Sequence, residues 1–280
     1  MSRLSRRTLL AAPLGLAASA WGVPQGARGA SFRLPLRSRV EAFRGSGVWQ
    51  EVRFERDFPV RRTAAILCDM WDKHWCRGAN DRVGLLVKRM APFVEELRSR
   101  GVQIIHAPSE TMDFYKDLPQ RKRLMSLARV APAQNRTDLT EPKLPIDDSD
   151  GGCDTDDKQY KAWSREHAGI RIAPEDVISD NGAEVYSFLR ERGLENLLVM
   201  GVHANMCILN RTFAIRQMTR WGVPCVLVRD MTDAMYDPKD PPRVAHDQGT
   251  ELVIEHIEKY WCPSALSGEV VQALRRAKTS

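Results

Sequence analysis

The sequence predicts a three-layer, doubly wound α/β domain with a mostly parallel sheet and helices on both faces. Apolar runs at 64–68, 197–200 and 225–228, and Val102-Gln103-Ile104-Ile105 with one polar residue, lack the alternation of a half-solvated strand, as expected of strands covered on both faces. Segments with apolar residues at helical spacing lie between them, the order that builds a parallel sheet. Asp69, His106, Ser179 and Gly201 then fall at strand ends on one rim, where open α/β sheets place their chemistry.

The run Leu197-Leu198-Val199-Met200 ends at Gly201, and Cys207 is followed by Ile208, Leu209, Phe213, Ile215 and Met218 at helical spacing. Cys207 is therefore expected in the first turn of a helix just past a strand end. Free N–H groups and the helix dipole favour thiolate there, which makes it a candidate nucleophile. The alternative is a buried structural cysteine, the reading adopted for Cys68 and Cys225 inside their apolar strands.

The first core strand, Ala64 to Cys68, ends on Asp69. An acid there is partly desolvated and suits a general base, whereas the commoner fate of a lone Asp is a cap or turn. Asp72 and His74 line the following loop as pocket candidates. Cys76 beside them completes no zinc-type spacing, and no metal or other cofactor is expected. A helix follows from about Arg82 to Arg100. The second strand, Val102 to Ile105, leaves His106-Ala107-Pro108-Ser109 at its end, with His106 and Ser109 as further substrate-binding candidates.

Gly201-Val202-His203-Ala204-Asn205-Met206-Cys207, with Ile66-Leu67-Cys68-Asp69 before it and Cys225-Val226-Leu227-Val228-Arg229-Asp230 after it, resembles the isochorismatase-like cysteine hydrolase superfamily, which includes nicotinamidases and carbamoyl-amide hydrolases. The matching spacing runs from about Thr63 to Asp233. The resemblance implies an isochorismatase-like, Rossmann-like fold, with Cys207 as nucleophile and Asp69 as its base. It also implies a cis peptide before His203, an oxyanion hole at the His203 and Cys207 N–H groups, and Asn205 near the substrate. Two expectations of the family are unmet. Ser109-Glu110-Thr111 replaces the Asp-x-His pair of metal-dependent nicotinamidases. Ser179-Asp180-Asn181-Gly182 stands where the family carries its catalytic Lys. A replacement cation is sought among Lys158, Lys161 and Arg165, read as one helix reaching the rim, with Arg165 preferred.

At the amino terminus, Arg6-Arg7 precedes an apolar run from Leu9 to about Ala18, and Ala18-Ser19-Ala20 is a small-x-small site. Residues 1–20 are read as a twin-arginine export signal, too short for a membrane span, and the protein is expected to be periplasmic or secreted. Cleavage there would take the formal charge from +6 to +3. That bias is too small, and too poor in interleaved aromatics, for nucleic-acid binding. Residues 21–60 are read as an arm whose Val48, Val52 and Phe54 hint at an edge strand. Residues 61–280 form the catalytic domain, expected to be homo-oligomeric.

A long insertion, about 113–172, carries six acids between Asp147 and Asp157. It reads either as a solvated loop or as a lid in which Asp148 and Asp150 select polar or cationic substrates. A short third strand near Val177, a helix from about Ala183 to Arg192 closed by Gly193, a strand from Pro224 to Val228 and a last helix from Val244 to Tyr260 complete the domain. One disulfide at most is expected among Cys76, Cys153 and Cys262, with the pairing left open. The functional expectation is an exported cysteine hydrolase acting on a small amide or carbamoyl compound. A non-catalytic small-molecule-binding protein and a metal-assisted hydrolase are the alternatives.

Overall fold

The structure is a computed structural model describing residues 29–140 and 142–277, so the export signal read over 1–20 lies outside the described residues. The strands are β1 (Ser31–Glu41), β2 (Trp49–Pro59), β3 (Thr63–Cys68), β4 (Gln103–Ala107), β5 (Val177–Ile178), β6 (Asn196–Val202), β7 (Cys225–Asp233) and β8 (Ser264–Ala265). The α-helices are α1 (Arg77–Ser99), α2 (Met112–Tyr115), α3 (Pro119–Met125), α4 (Gly182–Glu191), α5 (Cys207–Asn210), α6 (Ile215–Arg220), α7 (His246–Tyr260) and α8 (Ser267–Arg275).

One eight-stranded sheet runs in the order β2-β1-β8-β7-β6-β3-β4-β5. Its six strands from β8 to β5 are parallel, and the β1–β2 and β1–β8 pairings are antiparallel. The apolar runs serve two faces at once. Ile66, Val199 and Leu227 point to the layer containing α4, α6 and α7, while Leu67, Leu198, Met200 and Val226 point to α1 and α8. On α1, Val83, Leu86, Val87, Met90, Val94 and Leu97 repeat every three or four residues and are buried in that second layer. Each such side chain contributes about 1.5–3 kcal/mol on burial. The expected three-layer α/β fold is the one observed.

Strand order reverses between β3 and β6: β4 and β5 extend one way, β7 and β8 the other. The carboxyl ends of β3 and β6 therefore flank the crevice in which such sheets bind ligands. The two strands approach closely at Gly201, where φ is +116° and a Cβ would lie 2.0 Å from the Cys68 carbonyl oxygen. Only glycine fits that position.

The structure corrects several sequence expectations. The arm is a regular hairpin over Ser31–Glu41 and Trp49–Pro59, because Phe32, Leu34 and Leu36 alternate inward while Arg33 and Pro35 face out. It is anchored to α7 by Arg37, which bonds Glu258 at 2.7 Å and Glu251 at 2.6 Å. β8 and α8, beyond the expected last helix, close the sheet toward this hairpin. The segment carrying Lys158, Lys161 and Arg165 is irregular rather than helical. Helix α1 begins at Arg77, some five residues earlier than expected, without a side-chain cap to signal it.

Cys76 and Cys153 form a disulfide, and Cys68, Cys207, Cys225 and Cys262 are free. The bridge ties the acidic part of the insertion to the loop after β3, 77 residues away in sequence. Main-chain bonds from His167 N–H to the Met70 carbonyl (2.7 Å) and from Asp72 N–H to the Arg165 carbonyl (2.9 Å) hold a second point. Reduction, or Cys153→Ser, is expected to lower unfolding free energy by about 2–4 kcal/mol, read from urea transitions. An unchanged transition would show that the main-chain bonds alone hold the insertion.

Candidate active site

Asp69 follows β3 with φ at +49° and is wholly buried. Its Oδ1 accepts the Ser109 N–H at 2.7 Å and its Oδ2 accepts the Arg211 Nε–H at 3.0 Å. On the neighbouring strand end, the Val202–His203 peptide is cis, as the resemblance implied. The turn after it is held by Ala204 N–H on the Asp233 carbonyl (2.8 Å) and by the Met206 and Ile208 N–H groups on the His203 carbonyl (3.0 and 3.2 Å). This turn delivers Cys207 to the start of α5, where the thiol is hydrogen-bonded to Asp69 and also meets the Arg211 guanidinium.

Helix α5 is four residues long, since the chain turns extended at Arg211 (ψ 147°) before α6 starts. The expected helix-dipole stabilisation of a thiolate is therefore replaced by local charges. Burial pushes the Cys207 thiol well above its ordinary pKa, the Asp69 charge pushes the same way, and Arg211 opposes both. Asp69 is itself raised by burial, against the pull of Arg211, Cys207 and Ser109. The Cys207 thiol thus stands beside the Asp69 carboxyl group, with the Arg211 guanidinium as a fixed cation next to both.

That cation corrects the assignment to Arg165. Arg165 is half exposed, its Nε 3.9 Å from Asp72 and its guanidinium 5.4 Å from the Phe114 ring centroid. Arg211 instead bonds Asp69 and Glu110 (3.2 Å) and lies 6.0 Å from the Trp71 ring centroid. The signal for it was present in the sequence. Arg211 stands four residues after Cys207, a spacing that puts two side chains on one face of a helical turn.

Among the expected substrate-binding residues, His74 stays beside the site. Its ring meets His203 edge-on at 5.0 Å and lies 6.2 Å from Trp163, which stacks on Trp71 at 4.1 Å. Burial lowers the pKa of His74 to about 4 and that of His203 to about 3, so both rings are neutral. His74 Nδ1 accepts the Cys76 N–H at 3.2 Å, which leaves its proton on Nε2 as a donor. Ser109 takes part through its main chain, its N–H on Asp69 and its carbonyl on the Trp71 indole at 3.1 Å.

The other candidates hold the structure together. Asn205 is spent, its amide bonding Asp148 (2.7 Å) and both polar groups of the Met235 backbone (2.8 and 2.9 Å). Asp148 is committed to Asn205, and Asp150 caps its own turn through Gly152 N–H. Asp72 accepts from Ser164 N–H, Ser164 Oγ and Arg165 N–H, tying down the insertion. His106 is fully buried between Glu166 (2.8 Å) and Asp176 (3.0 Å), with Arg98 on Asp176 as well. Its strand-end position suggested the rim, but its ring points into the protein. Among the described residues, Cys76, Cys153 and Asp154 alone bring three metal-ligand atoms within 4.8 Å of one another, and the two sulfurs are already joined.

No family model and no curated protein matches the chain. Solved structures do. A cysteine hydrolase from Pseudomonas syringae pv. phaseolicola 1448A superposes at a TM-score of 0.50 with 16% identity, over 78% of this chain and 94% of that one. An isochorismatase-like hydrolase from Alkaliphilus metalliredigens gives 0.45 and 12% over 76% and 97% of the two chains. An isochorismatase family protein from Burkholderia thailandensis gives 0.45 and 15% over 77% and 96%. At these identities the shared property is the fold.

Two outcomes follow from the electrostatics. Arg211 lowers the Cys207 pKa, so Arg211→Met should slow alkylation of Cys207 by iodoacetamide about tenfold, whereas Arg165→Ala should leave it unchanged. Peptide mass spectrometry reads both; slowing by Arg165→Ala but not by Arg211→Met would reverse the assignment. Burial works to lower the His106 pKa, but Glu166 and Asp176 outweigh it and raise it from 6.5 to about 9. A raised folded pKa stabilises fully below about 6.5, and that contribution is lost as pH rises through about 9. Urea midpoints between pH 6 and 10 should show this fall in the parent chain, while His106→Gln should lack it.

Proposed function

We propose that this chain, built on the fold of the isochorismatase-like cysteine hydrolases, is itself a cysteine hydrolase that cleaves the C–N bond of a small amide or carbamoyl compound. The observation that carries the reading is the buried contact of the Cys207 thiol with the Asp69 carboxylate, with Arg211 bonded to Asp69 at 3.0 Å.

In this reading the Cys207 S–H passes its proton to Asp69 as sulfur attacks the substrate carbonyl carbon. The C–S bond forms, and the carbonyl π electrons move to oxygen, where the His203 and Cys207 N–H groups receive the negative charge. Collapse of the intermediate breaks the C–N bond, and Asp69 returns its proton to the leaving nitrogen. Water then attacks the acyl-cysteine, giving its proton to Asp69; collapse breaks the C–S bond, releases the acid, and Asp69 returns that proton to the departing sulfur. The raised pKa of Asp69 suits it to this exchange, because it holds a proton more readily than an ordinary carboxyl does, while Arg211 opposes the rise at Cys207. Arg211 stays charged throughout, so it steadies the developing charge without carrying a proton. Asp69 is left as the proton carrier.

The neutral faces of His74, His203, Trp71 and Trp163 favour a compact, uncharged acyl portion. The segment read in sequence as a twin-arginine leader supports action in the periplasm or outside the cell.

Ammonia release from a panel of small primary amides tests the reaction. Turnover should fall at least about a thousandfold in Cys207→Ala, and an acyl adduct should appear on the Cys207 peptide of the parent protein after rapid quenching. Turnover that survives Cys207→Ala would overturn the reading.

A further inference from the structure

The amino ends of the parallel strands, opposite the Cys207 rim, carry a charge that the chain leaves unanswered. Arg56, near the end of β2, borders a cavity of about 410 Å³ together with Tyr186, Arg190, Asn196, Trp221 and Pro224. Asn196 opens β6 and Pro224 directly precedes β7, which fixes the cavity at that end of the sheet. The Arg56 guanidinium rests on the Phe58 ring, 4.4 Å from its centroid. Its Nε and Nη2 are closed off from solvent and have no hydrogen-bond partner.

Two enclosed arginines of this chain are answered by acids, Arg37 by Glu258 at 2.7 Å and Arg98 by Asp176 at 2.7 Å, and Arg216, whose Nε is also covered and unpartnered, bonds the Asn210 amide oxygen at 2.6 Å. Arg56 has only the thiols of Cys225 and Cys262 acting in its favour, against a larger effect of burial that lowers its pKa. Burial keeps both thiols protonated, Cys225 being pushed up to about 12 and Cys262 well above its ordinary value. Glu195, the acid on the cavity wall, is committed to Arg62. Arg190 makes no ion pair among the described residues. The Tyr186 and Trp221 rings, edge-on at 5.5 Å, supply an apolar wall.

We propose that this cavity is a second ligand site, separate from Cys207, which binds a small planar carboxylate. Nε and Nη2 form the edge of a guanidinium that meets the two oxygens of a carboxylate in parallel. Both nitrogens are covered, so the guanidinium turns off the Phe58 ring to meet the ligand, and no ion pair has to break for that turn. The aromatic wall takes the flat body of the ligand and Arg190 adds long-range attraction. The volume lies within the range of small-molecule sites.

Benzoate is the probe, titrated into the full-length protein by calorimetry with tryptophan fluorescence alongside. Saturable binding with a dissociation constant of about 1 mM or below is expected. Arg56→Met should weaken it at least about tenfold, the contribution of a charge-assisted hydrogen bond. Cys207→Ala should leave it unchanged, and benzamide, of the same shape without the charge, should not compete. Arg56→Met removes an unpartnered buried charge, so it should melt no lower than the parent. If it misfolds, Arg56→Lys, which keeps the charge and removes the fork, makes the same comparison. No saturable binding up to about 20 mM, equal binding in the Arg56 variant, or loss of binding in Cys207→Ala would each overturn the proposal.

Discussion

The Asp69 carboxylate is wholly enclosed and is answered by one guanidinium, and the geometry around Cys207 follows from that pairing. A carboxylate in this position needs either a proton or a cation, since burial alone pushes it toward the neutral form. Arg211 permits the ionised form, Ser109 N–H fixes its orientation, and the thiol completes the shell. Removing one partner of a buried pair costs about 3–5 kcal/mol, which is a large share of the stability of a domain. The same contact therefore sets the chemistry and constrains the fold at the rim.

Around this pair the protein arranges two kinds of support. The cis peptide, the Gly201 contact and the Asn205 amide hold the nucleophile turn from the sheet side. The insertion supports it from outside through Asp72, the Trp71–Trp163 stack and the Cys76–Cys153 bridge. The acids of this insertion, which read in sequence as either a solvated loop or a selective lid, are largely used in bracing it.

The parallel core was legible in sequence because its central strands carry apolar runs serving two layers, and the spacing around Cys207 and Asp69 marked both strand ends. The hairpin was not, although Phe32, Leu34 and Leu36 alternate with period two; Pro35 and the nearby glycines suggested a linker instead. His106 was misplaced because a strand-end position says nothing about which face a ring points to, and its partners Glu166 and Asp176 lie 60 and 70 residues away. Arg211 escaped for a different reason. The lysine that the resemblance implies belongs to the end of another strand, whereas Arg211 stands on the turn that carries Cys207.

Placing nucleophile and cation four residues apart on one turn has an evolutionary consequence. A catalytic cation supplied by another loop shifts its position whenever that loop gains or loses residues. Here the spacing of Cys207 and Arg211 is set by one short stretch of backbone, with the Arg211 N–H on the Cys207 carbonyl at 3.0 Å. The connections after β4 and β5 are freed from that duty, and the 113–172 segment can lengthen, shorten or change composition while the charged pair keeps its spacing. On the proposed reading, the loops around the rim can vary without altering the spacing of Cys207 and Arg211.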